Sequence, residues 1–511
     1  MKKTTRLLLL LLSAVMTLTA FTACFKKTEN GGDSTDPTDV GTTPDATVET
    51  NQYGEEILES VVPDELDYEG AEIHFLIPNV ESYYLEWDPD TKEPTTLESK
   101  ILLRNTEIER ELGVDLIFHK ESNSAYPDKI VEDALSAFPT YDIISGNLRE
   151  GGRASLLAYY RDLNGGDLTY LNLDRPYWNQ SVNETVRTND RQYVIMGDIN
   201  LSMWDRTHVV FFNRTDLPSY ANMTEDAFYE MVSDGGWTYQ SFYEMVKDVK
   251  VDDEDGTFGN NSDYIGLTSI VHMEASDGFF FAWDLNLTQK DEITEAHTIV
   301  TGNERQRVID AFGKLTQLYM SEGAILHSEG TTGGGVNTQL FTSGHALFMI
   351  DVIAHNASDL SIKRDMEDGF GIVPLPKYDS LQQEYYTGVN DYANAINVMD
   401  NGRDGGMISA VLELMAHKSY NDVRPYYVKS VLKARTLSKG ASDMFDIIMA
   451  GVRFDFISFF QAGGTDNFIG NLWTYPFQTV VGGGTANPRF EREDALNAIL
   501  ENIDEILYDT N

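Results

Sequence analysis

The sequence predicts an α/β chain built on largely parallel sheets, and three observations carry that prediction. Short apolar runs bounded by Gly or Pro alternate with stretches whose apolar residues recur at helical spacing. The order strand, helix, strand, helix, strand is the pattern of parallel sheets crossed by helices. The 511 residues are 41% hydrophobic and 11% aromatic, with one cysteine, Cys24, so packing rather than disulfides or thiolate zinc must hold two or three cores.

The elements follow in order. Lys2, Lys3 and Arg6 precede an apolar run from Leu7 to about Leu18. Small or apolar residues continue to Ala23. This is the layout of a secretory signal, too short for the roughly 20 apolar residues of a spanning helix. Phe21-Thr22-Ala23-Cys24 resembles the bacterial lipobox, which implies a signal peptide over 1–23 and lipidation at Cys24; Phe21 stands where Leu is usual. Lys26 to Asn51 has no aromatic residue and only Val40, Ala46 and Val48 as apolar side chains, so a lipid-anchored flexible linker is expected over 24–67.

EIHFLIP reads as a strand stopped by Pro78. In SKILLRNTEIEREL, Ile101, Asn105, Ile108 and Leu112 share one helical face, with Gly113 as the stop and VDLIF as the next strand. YPDKIVEDALSAF starts a helix at Pro127, and YDIISG is a third strand. VVFFN, HALFMIDV and FGIVPLP are further strands, the last halted by Pro374 and Pro376. Thr224 and Thr238 are expected N-caps, Gly235 a stop, and ERQRVIDAFGKLTQLYMSEG and EDALNAILENIDEILYD helices.

The charge balance narrows function. With 38 basic and 82 acidic side chains the formal net charge is −44, which repels phosphate backbones, so no nucleic-acid partner is expected. Nine histidines include no HExxH, no G-x-S-x-G turn occurs, and the only thiol is Cys24. Neither triple glycine, at 333–335 or 482–484, leads into Lys-Ser or Lys-Thr. Taking Gly256 of VDDEDGTFGNNSDY as a calcium-loop glycine puts Val251 and Ser262 at the first and last ligand positions, where acids are needed. No catalytic residue, metal or cofactor is expected.

One stretch goes further. YDIISGNLREGGRASLLAYYRDLNG, then LDRPYWNQ, MGDIN and FFNR, resembles the extracellular solute-binding proteins of ABC importers, in the family 1, sugar-type branch found on Gram-positive lipoproteins. FFFAWDLNL, GHALFMIDV, FGIVPLPKYD and GVNDYANAINV follow in that family's order. The resemblance implies a two-lobed periplasmic-binding-protein-like fold (type II). Each lobe would be a mostly parallel sheet flanked by helices, with residues 68–190 plus 345–392 as lobe 1 and 191–344 plus 393–511 as lobe 2. The hinge would be crossed three times, near Arg191 to Asp205, near Ser343 and near Asn390 to Asn397. It further implies a monomer on the extracellular face of the membrane that passes a carbohydrate, an oligosaccharide, to permease subunits. The alternatives are a binding protein for a peptide or another polar solute, and a secreted surface glycan hydrolase.

Ligands of open α/β sheets gather at the carboxyl ends of strands. After IHFLIP stand Glu81, Tyr83, Tyr84 and Trp87, and after YDIIS stand Asn147 and Arg149; a sugar needs flat aromatics plus carboxylates or amides. The resemblance adds Asp198, Trp204 and Asp205 from MGDINLSMWD, Trp283 and Asp284 from FAWDLNL, and Trp473 from NLWTYPF. It also adds the hinge residues Asp351, Asn390, Asp391 and Tyr392. Core packing competes for every aromatic here. Trp283 and Trp87 are favoured because each sits beside acids near a strand end, and Asp198 could instead cap backbone amides at the hinge.

Overall fold

The computed structural model describes residues 49–80, 84–148, 154–252, 263–271, 273–327, 335–354, 366, 369–432, 439–460 and 470–508. Cys24 and the signal segment lie outside them, as do Glu81, Tyr83 and Arg149. The first layer begins with β1 (Ala71–Pro78), whose apolar residues are buried. Helix α1 (Thr96–Leu112) is closed at its start by a capping box between Thr95 and Glu98. It buries Ile101, Asn105, Ile108 and Leu112, the face its spacing predicts, and ends where Gly113 turns left-handed at φ 61°. There β2 (Val114–Glu121) starts, followed by α2 (Tyr126–Ala134) and β3 (Ile143–Asn147). Both β2 and β3 pair with β1 in parallel.

After α3 (Gln180–Val186) the chain enters a second, larger sheet at β4 (His208–Asn213). Thr224 and Thr238 cap α4 (Glu225–Ser233) and α5 (Tyr239–Val246) as predicted. Then come β5 (Lys250–Val251), β6 (Tyr264–Ile270), α6 (Met273–Ala282), the two-stranded ribbon β7 (Thr288–Lys290) and β8 (His297–Ile299), and α7 (Gly302–Tyr319). β9 (Ala324–His327), β10 (Ala346–Val352) and β11 (Phe370–Val373) complete the layer. Its order is β11-β4-β10-β6-β5, with β9 also on β6. This sheet is mixed: β10 and β9 run parallel to β6, whereas β4 runs antiparallel to β10 and β11.

The chain then returns. β12 (Asn394–Val398) pairs antiparallel with β3, giving the smaller sheet the order β12-β3-β1-β2. Next, α8 (Gly405–Lys418) lies on α1, and α9 (Lys439–Ala450) lies on β11. The last helix, α10 (Glu493–Tyr508), packs on β8.

Two sequence expectations change here. Residues 345–392 were expected with the first sheet and 393 onward with the second, but pairing puts β10 and β11 in the larger sheet and β12 in the smaller. The apolar run of β10 marks a strand covered on both faces without saying which sheet covers it. Ser343 is accordingly no crossing: it caps the helix Val336–Thr342, which feeds β10 within one layer. Nor is the linker free as far as 67. Val62 is buried, and Leu58 and Leu66 pack on the smaller sheet's core, because this stretch carries larger apolar side chains than the Val40, Ala46 and Val48 of 26–48.

Candidate functional site

The sheets are joined by three crossings among the described residues. The first runs from Ile199 to Thr207, between the Ile195–Ile396 bridge and β4. The second, residues 387–393, runs from the Thr387–Val452 bridge into β12. The third, residues 419–432, leaves α8 as a π-helical turn (Ser419–Val423), one α-helical turn (Arg424–Tyr426) and a second π-helical turn (Tyr427–Leu432). Wide turns inside a helix recur at functional sites.

All three lie together. Asn390 N–H donates to the Arg206 carbonyl at 2.8 Å, and Val389 bridges Thr207, so the first two run side by side. The Tyr427 hydroxyl donates to the Asp205 carboxylate, joining the third to the first. The end of β10 runs along the first crossing, with Ile353 N–H on Thr207 O and Ala354 N–H on Asp205 O, both at 2.9 Å.

A hub stands on the smaller-sheet side. Glu86 is buried and accepts from Ser202 N–H at 2.8 Å, Asn394 Nδ2 at 2.8 Å and Asn200 Nδ2 at 3.3 Å. Buried Arg104 on α1 donates to the Glu86 carbonyl at 2.8 Å and to Ser419 Oγ at 3.0 Å. One carboxylate and one guanidinium thus touch the ends of all three crossings. Burial pushes the Glu86 carboxyl up to about 7 against its hydrogen bonds, and lowers Arg104 to about 10. Asp198 is also pushed up to about 7, chiefly by burial; Arg424 of the third crossing, its ion-pair partner at 3.3 Å, opposes the rise.

No protein-family profile and no curated protein sequence matches the chain. Solved structures do. A family 1 extracellular solute-binding protein from Bifidobacterium longum subsp. infantis superposes with a TM-score of 0.52 at 12% identity, over 86% of this chain and 98% of that one. A cyclo/maltodextrin-binding protein complexed with maltotetraose gives 0.51 at 10% identity, over 86% and 98%. M. tuberculosis UspC gives 0.50 at 14% identity, over 84% and 100%. The fold is that of the two-lobed solute-binding proteins. Each sheet with its helices is one lobe, and the three crossings are the hinge.

Within this fold the predicted residues separate into two groups. Trp204, Asp205, Asp351, Asn390, Asp391 and Tyr392 stand on the first two crossings or at the end of β10, and Asn147 faces Asn394 across the β3–β12 register. Trp204 packs on two apolar clusters that lie on opposite faces of β4, and its buried indole N–H meets no acceptor among the described residues. Asp198 serves the hinge, as one of its two readings had it, through Arg424 rather than by capping amides. Tyr84, half-buried under the Lys120 ammonium at 4.1 Å, precedes Leu85, which packs on the larger-sheet core.

The second group is structural. Trp87, Trp283 and Trp473 are fully buried. Trp87 leans on Phe75, with ring centres 5.6 Å apart. Trp283 donates to Pro376 O at 3.1 Å amid Tyr239, Phe279 and Tyr378, and Trp473 donates to Ser276 O at 3.0 Å. Such rings have no face left for a ligand. Asp284 turns away at φ 53° into an ion pair with Arg453, beside a recess of about 630 Å³ lined by Asn286, Glu304, Arg307 and Tyr386. The LDRPYWNQ and MGDIN segments prove to be one latch. Asp198 N–H donates to Tyr177 O, Asn179 N–H to Met196 O, and Gly197 lies on the Trp178 ring where a Cβ would stand 2.7 Å from a ring carbon.

Sequence reasoning missed Glu86, Arg104, Ser202, Arg424 and Tyr427. Glu86 in LEW and Arg104 in ILLR carry one signal, a charge against an apolar run, which marks burial without naming the partner; Ser202, Arg424 and Tyr427 carry none.

Proposed function

We propose that this chain is a solute-binding protein that closes two lobes around a carbohydrate, an oligosaccharide, and delivers it to the permease of an ABC importer without breaking a bond. The observation that carries the reading is the hinge. Two α/β lobes meet at three adjoining crossings, where Trp204, Asp205, Asn390, Asp391 and Tyr392 put amides, carboxylates and aromatic edges at one junction. Hydroxyl-rich ligands are held by such groups, and closure follows from contacts made only when the lobes meet. The likeness in fold to proteins described as maltodextrin-binding and as family 1 solute-binding supports it. Asn147, Asp351 and Tyr84 complete the proposed contact set; Tyr83 belongs to the same loop by sequence.

The same reading keeps the chain a monomer on the extracellular face of the membrane, held by lipid at Cys24. No helix among the described residues is long and apolar enough to cross a bilayer. Thermal melting with a panel of mono- and oligosaccharides, amino acids and peptides tests the function. A true ligand at a hundred times its dissociation constant stabilises the fold by roughly 2.7 kcal/mol. A shift with oligosaccharides alone supports the proposal, a shift with peptides alone replaces the sugar, and released glycan fragments or no shift at all would overturn it.

A further inference from the structure

The chain between the signal region and β1 does more than connect. Residues 49–62 fold locally: Asn51 Oδ1 accepts from Tyr53 N–H at 2.9 Å and Glu55 N–H at 3.1 Å, Gly54 takes φ 78°, and Thr50 bridges Glu56. Asn and Gly are the residues that make such a turn at low cost. One end of the segment is fixed to the smaller-sheet lobe. Val62 is buried in its core, and Arg175 Nη2 donates to Glu59 O at 2.8 Å. His417 Nε2 of α8 donates to Leu58 O at 2.7 Å, and Asn421, in the first turn of the third crossing, clasps Leu58, with Leu58 N–H on Asn421 Oδ1 and Asn421 Nδ2 on Leu58 O, both at 3.0 Å.

The other end reaches over the third crossing. Asn51 Nδ2 donates to Asn421 O at 3.1 Å, and Lys429 Nζ donates to Tyr53 O. Glu55 stands between two cations of that crossing, Arg424 at 2.8 Å and Lys429 at 3.3 Å. Arg424 lies over the Tyr420 ring at 4.6 Å, and its Nε is 3.3 Å from Asp198 on the approach to the first crossing. Partly buried ion pairs in a network hold geometry in a way that isolated surface pairs do not.

We propose that residues 49–62 are a clamp on the hinge, in which Glu55 is a positioning residue: it holds Arg424 and Lys429 in the third crossing and, through Arg424, the place of Asp198. The inference takes its hinge from the two-lobed reading above, but it requires no particular ligand. Glu55 is thereby part of the machinery that sets the lobe angle, although it lies outside both sheets.

Hydrogen exchange read by mass spectrometry on the full chain, with no ligand added, tests it. Glu55→Gln keeps the side chain's length and removes its charge. It is expected to speed exchange by about tenfold or more in peptides covering 419–429 and 196–206, with β1, β3, β4 and β10 unchanged. Glu55→Asp, which keeps the charge, should restore slow exchange in large part. Faster exchange confined to 49–58 would make the segment a mere edge, an even rise over all strands would make it a stability element, and no change would remove it from the hinge; each overturns the clamp. Asn421→Ala, which breaks the clasp without touching Glu55, should speed the same peptides, and silence there would also count against it. A sugar screen that returns nothing while these peptides respond would sink the ligand reading and leave the clamp standing.

Discussion

Glu86 shows what a single side chain contributes here. Its folded-state proton affinity is raised, so between about pH 4.5 and 7 the folded protein holds a proton that the unfolded chain has released. Raising pH through that window therefore costs stability, on the order of 3 kcal/mol for a buried carboxyl of this kind. Asp198 acts in the same direction, whereas His119, His327 and His417, all lowered mainly by burial, gain stability as pH rises. Comparison with Glu86→Gln isolates the term. Urea unfolding at pH 5 and pH 7.5 should show a smaller loss between the two values in the variant than in the parent. The tryptophans show why residue roles were only partly legible. An acid beside an aromatic looks like a sugar contact in one dimension, yet Trp283 turns into the core while Asp284 turns out to Arg453. Neighbours in a chain need not share a face, and only packing decides which faces solvent.

Elements were more legible where local chemistry is self-sufficient. Gly113 announces the end of α1, and its apolar spacing fixes the buried face; the Thr95–Glu98 box that starts it lies just ahead of the stretch the spacing marks. Thr95→Ala should cost about 1 kcal/mol in equilibrium unfolding, with the helix register kept, because the Glu98 amide loses the hydroxyl it donates to. A loss near zero would mean that packing against α8 alone sets the helix start. Legibility failed where an element's fate depends on distant partners. Nothing in 49–62 announces that Asn421, Arg424 and Lys429 await it some 370 residues on. Nor does an apolar run such as β10 declare its sheet, or SYNDVRPYYVKSVL its wide turns.

For the molecule as a whole, charge is the term that no single contact reports. A surplus of 44 acidic groups makes the compact state repel itself, and salt screens that repulsion beyond about 10 Å. Tm should therefore rise by several degrees between about 20 mM and about 300 mM NaCl. A fall would show that attractive pairs such as Arg424–Glu55 outweigh the net repulsion. The two-layer architecture was readable as alternating strands and helices, but the allotment of strands to lobes was not, since antiparallel returns such as β12 look locally like any buried strand. The π-wound stretch at 419–432 carries one more implication. Surplus residues stored in a rod are a reserve for mechanical adjustment: dropping one would tighten a wide coil into an ordinary one and swing everything downstream by about 100°. A one-residue deletion inside 419–432 would thus alter the angle between the lobes without touching either sheet.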